Sequence, residues 1–240
     1  MKPLHFICIL ILFAACQKPV PLEISGKSNL PDGTIISISG DRDSTLATTF
    51  VSKGQFELKK FGLDSGYYTL TTKNGDARQD FDVYLAPGKY LITLPDSANK
   101  YLTAKTKSTT QNKLTDYYNL EDSVLYKFRR QVKKTTEEIG DPKNAKLSEA
   151  QFQELINSQN AAKARVNGAL IAAMNMYIDR HPKADVILHV ISNMDYSADP
   201  STYQMVFNRL SNQVKNSEEG KGLKAKLTQA AQPKAVSLRN

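Results

Sequence analysis

The chain has 240 residues, with 32 Lys and Arg against 24 Asp and Glu, a net charge of +8, and 40% apolar residues. That composition excludes a multi-span membrane protein and a disordered chain, and the length suffices for one large core or two small ones. Two Cys, three His and no Trp leave little material for thiol or metal chemistry.

The chain opens Met1-Lys2-Pro3 and then runs apolar from Leu4 to Ala15. A dozen residues is too short for a membrane-spanning helix, which takes about 20. One positive charge, a short apolar run and the small pair Ala14-Ala15 make residues 1–15 a secretory signal peptide. The string Leu12-Phe13-Ala14-Ala15-Cys16 resembles the lipobox of bacterial lipoproteins, with Phe13 standing where an aliphatic residue is usual. The resemblance implies that the Cys16 thiol is diacylglycerated and that Cys16 becomes the mature, membrane-anchored N-terminus. An ordinary signal peptide cut elsewhere, leaving Cys16 a free thiol, is the alternative. On the lipobox reading Cys8 leaves with the signal peptide, so the mature protein has no thiol for a disulfide or for catalysis. Residues 16–21 are polar and Pro-containing, which suits a short tether. They lack the acidic run that resembles a surface-export signal in some Gram-negative lipoproteins. The expected location is the cell envelope, at the outer membrane facing the periplasm.

From residue 22 to 107 the chain reads as short strands between tight turns. Asp32-Gly33, Lys53-Gly54, Asn74-Gly75 and Pro87-Gly88 punctuate runs rich in β-branched and aromatic residues. Those runs include Thr34–Ile38, Gln55–Leu58, Tyr67–Leu70, Phe81–Leu85 and Tyr90–Leu94. Strands at such regular spacing predict an antiparallel β-sandwich or a partly open barrel.

Near Thr106–Gln111 the period changes to that of a helix. Leu114, Tyr117, Tyr118, Val124, Phe128, Val132 and Ile139 mark a long helix that ends at Gly140-Asp141-Pro142. Ser148 with Gln151 predicts a capping box for a second long helix, through Phe152, Leu155, Ile156, Val166, Leu170, Met174 and Tyr177. Pro182 stops it. A shorter helix follows through Val186, Ile187, Val190 and Ile191. Asp199-Pro200 opens one from Tyr203 to Val214, and Ser217 caps a last one through Leu223 and Leu227. The fold class expected is α+β, with a helical domain over residues 108–230 and a frayed tail over 231–240.

Several strings together resemble the uncharacterised N-terminal domain that precedes the thioredoxin fold in TlpA/AhpC-type lipoproteins of Gram-negative bacteria. They are Ile24-Ser25-Gly26 with Asp32-Gly33-Thr34, Asp43-Ser44, Lys53–Leu58, Tyr84–Ile92, Tyr177–Pro182 and Ser217–Leu223. The family's chemistry lies in the following thioredoxin fold with its C-x-x-C pair, and the chain read to Asn240 contains no such pair. The resemblance therefore implies an architecture and a compartment, and no catalytic residue.

The remaining chemistry is thin. His181 and His189 lack the one-turn spacing of two metal ligands on a helix face. Gly220-Lys221-Gly222 lacks the rest of a phosphate loop. Asp41, Asp43, Asp76, Asp80 and Asp82 do not follow the spacing of a calcium loop. Basic residues concentrate at Lys127, Arg129, Arg130, Lys133 and Lys134, and again at Lys221, Lys224 and Lys226. Such a face either steers anionic partners or is solvated surface. Of these, Arg129, Arg130, Lys133 and Lys134 are the candidate partner-binding residues. The expectation is a non-enzymatic binding or scaffold lipoprotein without cofactor or metal, held by its acyl chains. An envelope protein or an anionic polymer is its expected partner, and nucleic acid is not. The alternative is a truncated or accessory thioredoxin-type lipoprotein working with a separately encoded redox domain.

Overall fold

A computed structural model describes residues 20–40, 44–95, 100–181 and 183–232. Residues 1–19, which include the expected signal segment, Cys16 and most of the expected tether, lie outside the described residues, as do Asp41, Asp43 and the tail from residue 233.

The strands are β1 (Leu22–Lys27), β2 (Ile35–Ser39), β3 (Thr45–Phe50), β4 (Gln55–Lys60), β5 (Gly66–Asn74), β6 (Ala77–Leu85), β7 (Gly88–Thr93) and β8 (Thr103–Thr106). They form two four-stranded sheets, in the orders β4-β1-β7-β8 and β3-β2-β5-β6, which do not close into a barrel. Alternate side chains point to opposite faces of a strand. Thus Leu22, Ile24, Phe56, Leu58, Tyr90 and Ile92 of the first sheet share one buried apolar cluster with Ile36, Ile38, Leu70, Phe81 and Val83 of the second.

One pairing departs from the antiparallel expectation: β1 and β7 are parallel, with Leu22 opposite Gly88 and Lys27 opposite Thr93. A parallel pair needs a long connection, and here the whole second sheet intervenes in sequence. The turn signals also divide in meaning. Asn74-Gly75 joins paired neighbours, although the register places Asn74 opposite Ala77 and the turn one residue later, at Gly75-Asp76. The other three mark changes of sheet. At Lys53-Gly54 both residues have positive φ (53° and 71°). Ser52 and Gln55 exchange backbone hydrogen bonds of 2.8 and 3.0 Å across them before β4 enters the other sheet.

The helices are α1 (Thr109–Gly140), α2 (Glu149–Arg180), α3 (Val186–Ser192), α4 (Pro200–Arg209), α5 (Asn212–Lys215) and α6 (Glu218–Ala230), with a 3-10 turn at Pro142–Lys146 between the first two. The Ser148 hydroxyl accepts from the Gln151 amide, and the Gln151 side chain accepts from the Ser148 amide at 3.0 Å, which closes the capping box. Helix α2 stops at His181, the residue before Pro182. The expected helix from Tyr203 to Val214 is in fact two. Leu210 leaves helical geometry, and the Ser211 hydroxyl caps the Val214 amide at 3.3 Å to start α5.

Helices α1 and α2 run antiparallel. The Tyr177 hydroxyl donates to the Lys113 carbonyl at 2.9 Å, and Gln159 donates to Thr136 at 3.0 Å near the far end. Between them Leu125 packs with Ala169 and Ala173, flanked by Val124, Phe128, Val166 and Leu170. The alanines let the helices approach closely. Helix α6 packs on α3, α4 and α5, and α4 packs on α2. The described residues fall into two compact units. One holds the strands and Leu102–Asn112, and the other holds Lys100, Tyr101 and everything from Lys113.

Candidate functional site

The most concentrated polar chemistry lies on the buried face of α1. Leu114, Tyr117, Tyr118, Glu121 and Leu125 recur at helical spacing, so the stripe that seats the tyrosines also carries a carboxylate inward. Glu121 is 1% exposed. Its Oε1 accepts from the Tyr101 hydroxyl and from Arg129 Nη2, the latter at 2.5 Å. The other guanidinium nitrogen, Nη1, pairs with Asp122 Oδ1. The Tyr101 ring stacks flat on Tyr118 with centroids 4.0 Å apart, and the Arg129 guanidinium lies 5.4 Å from the Tyr101 centroid. Tyr117 packs against Tyr118 and edge-on to Tyr177, whose ring stacks on His181 at 4.3 Å.

Two buried atoms of this knot, the Tyr117 hydroxyl and Glu121 Oε2, make no hydrogen bond of normal geometry. Burial, reinforced by the Glu121 charge, pushes the Tyr101 and Tyr117 hydroxyls well above the ordinary phenol range. Those phenols therefore hold their protons at neutral pH, and the Tyr101 hydroxyl donates to Glu121 Oε1. The arrangement orients aromatic rings and balances charge between Lys100–Tyr101 and α1. Among the described residues no three His, Cys, Asp or Glu side chains gather as a metal site.

The four basic residues singled out on α1 divide. Arg129, with a side chain 25% exposed, belongs to the buried knot. Arg130 lies 5.8 Å from the centroid of the Tyr126 ring. Lys133 and Lys134 stand 3.8 and 3.7 Å from Glu137 and Glu138, one turn on, with side chains about three-quarters exposed. His181 is occupied by Tyr177, and His189 Nε2 is 3.0 Å from the Asn193 amide nitrogen. Cys16 lies outside the described residues.

A second surface lies on the outer face of the first sheet. Glu23 on β1 sits between Lys59 on β4 at 2.7 Å and Lys89 on β7 at 3.7 Å. The Lys59 hydrogen bond and charge, with a smaller contribution from Lys89, hold the Glu23 carboxyl below its usual range. Further along the face Leu91 stands opposite Lys105 of β8, and Lys27 stands opposite Gln55 and Thr93.

Reading the sequence alone misses Glu121, Tyr101 and these sheet lysines. The available signal for Glu121 is its place in the apolar stripe, three residues after Tyr118 and four before Leu125. No family model matches the chain, and no curated protein and no solved structure matches it.

Proposed function

We propose that the protein is a lipid-anchored binding or scaffold lipoprotein of the cell envelope. It is acylated at Cys16, faces the periplasm from the outer membrane and has no catalytic activity of its own. Its two sheets, with their shared apolar cluster, are read as a β-sandwich of the kind that precedes the thioredoxin fold in TlpA-type lipoproteins. The acyl chains provide the membrane association, and the helical unit provides the partner surface.

The observation that carries this reading is the outer half of the α1/α2 pair. The packed apolar cluster ends at Phe128 on α1 and begins at Val166 on α2, while both helices continue well beyond it. Residues 129–140 of α1 and 149–165 of α2 extend the pair, the α1 stretch alone by about 18 Å. Along that length Lys133 and Lys134 are exposed, and Phe152 on α2 is 42% exposed. Along this extension the buried residues are small or polar, Thr135 on α1 and Ala162 on α2, and its polar outer faces suit docking of an anionic envelope protein or polymer. Arg130, Lys133 and Lys134 are the residues proposed to meet it, with Arg129 positioning the helix from beneath.

The test is the triple variant Arg130→Glu, Lys133→Glu, Lys134→Glu in the acylated protein, keeping Arg129 because Glu121 depends on it. Co-purification of an envelope component should fall at least tenfold with an unchanged melting temperature. Undiminished association would overturn the reading.

A further inference from the structure

We propose that the outer face of the β4-β1-β7-β8 sheet lies against anionic lipid headgroups. This inference rests on acylation of Cys16. Five residues separate Cys16 from Leu22, the first residue of β1, and the six residue steps between them span at most about 20 Å when fully extended. β1 is an inner strand of this sheet. An anchored Cys16 therefore keeps the sheet's own entry point within reach of the headgroups, whatever path the tether takes.

The face itself has the chemistry of an interfacial surface. Each strand contributes one outward lysine: Lys59 on β4, Lys27 on β1, Lys89 on β7 and Lys105 on β8. Against these stand Glu23, which is shared by Lys59 and Lys89, and Glu57. The Lys89 side chain is 88% exposed even while paired, so its ammonium is free to trade Glu23 for a phosphate. Leu91, 44% exposed, occupies the middle of this field. At the end where the tether enters, Val20 is 62% and Phe61 58% exposed, with Lys59 5.5 Å from the Phe61 ring centroid. Apolar side chains nearest the anchor, with lysines on long apolar stems around them, match the boundary between acyl chains and phosphate groups. A lipid surface supplies negative charge beyond Glu23 and Glu57, the two carboxylates that stand against these four lysines. No described helix is long and apolar enough to cross a membrane.

Lysine footprinting tests this without substitutions. The purified acylated protein is added to preformed vesicles of either phosphatidylcholine alone or phosphatidylcholine with phosphatidylglycerol, and treated with an amine-acetylating reagent. Modification of each lysine is followed by peptide mass. Lys73 on β5, exposed and in the other sheet, is the internal reference. Lys59, Lys89 and Lys105 should react about fivefold more slowly on the anionic vesicles, the change expected for one lysine held at an anionic surface. Lys73 should react equally on both, and high salt should abolish the difference at the sheet lysines. Equal rates at the sheet lysines, or equal slowing at Lys73, would overturn the proposal. The N-terminal peptide in the same digest separates the two readings. An acylated Cys16 with equal lysine rates removes the lipid-facing sheet and leaves the anchor standing, whereas an unacylated N-terminus removes both.

Discussion

The Arg129 guanidinium reaches back two turns along α1 to Glu121, placing Nη2 2.5 Å from Oε1 of a carboxylate that is 1% exposed. A residue that reads in the sequence as one of four equivalent surface cations is thus the counterion of a buried acid. Removing one partner of a buried pair leaves the other charge without compensation. Arg129→Ala should therefore cost about 3 kcal/mol or more in urea unfolding. Lys133→Ala, which breaks only the exposed contact with Glu137, should change stability by less than about 0.5 kcal/mol. Similar small losses for both would mean that Glu121 finds another partner when Arg129 is gone.

The phenols around Glu121 give the fold an alkaline limit. The folded protein holds the Tyr101 and Tyr117 protons well above the ordinary phenol range near 10, mainly through burial and then through the Glu121 charge. Below pH 10 both states hold these protons, and the stability is intact. As pH rises past 10 the unfolded chain releases them while the folded chain retains them, so stability falls with a slope of about 1.4 kcal/mol per pH unit for each such group. The pair should contribute about 3 kcal/mol per unit above pH 10, measured as the urea midpoint against pH. Tyr101→Phe should reduce the measured slope by its own share, about 1.4 kcal/mol per pH unit. An unchanged slope would show that Tyr101 ionises freely in the folded protein.

Local signals account for much of the architecture. Gly and Pro turns bound the strands, and side-chain caps at Ser148, Asp199 and Ser217 start the helices expected of them. What stayed hidden is non-local. The parallel pairing of Ser25 with Leu91 joins segments separated by the entire second sheet, and no residue near either end encodes it. The same reason hides the lysine row across β4, β1, β7 and β8, because strand order brings together residues that are scattered in sequence. Glu121 was legible in position but not in partner. Its place on the stripe signals burial, yet Tyr101 reaches it from before the helix begins.

Two glycines two residues apart in α6, Gly220 and Gly222, should respond in opposite directions to the same change. A Cβ on Gly220 would lie 2.3 Å from the Val214 carbonyl oxygen and 2.6 Å from that of Lys215, both backbone atoms at the α5–α6 corner. Gly220→Ala must push the two helices apart and should cost about 1–3 kcal/mol. A Cβ on Gly222 meets nothing within 4 Å. That residue is exposed in the helix interior, where Ala is favoured over Gly by about 1 kcal/mol, so Gly222→Ala should raise the melting temperature. If both variants were stabilising, the close approach at the corner would be absent in solution.

The anchor reading makes a stoichiometric prediction. The chain has two cysteines, Cys8 within the signal segment and Cys16 at the lipobox-like site. After cleavage before Cys16 and acylation of its sulfur, no thiol remains, and thiol–disulfide exchange has no nucleophile. The protein purified from membranes and denatured should give no colour with Ellman's reagent and should not reduce insulin. Two or more acyl chains on one residue suffice for stable membrane attachment, whereas the signal segment is too short to remain as a span. Cys16→Ser should consequently shift the protein from the membrane pellet to the soluble envelope fraction, or leave the unprocessed precursor. One reactive thiol per chain, together with normal cleavage, would identify an ordinary signal peptide and an unmodified Cys16. Membrane retention of a processed Cys16→Ser variant would mean that another part of the chain holds it there. In that event the lysine face of the first sheet is the surface to neutralise next. Lys59→Gln and Lys89→Gln together would then release the protein at low salt if that face alone retained it.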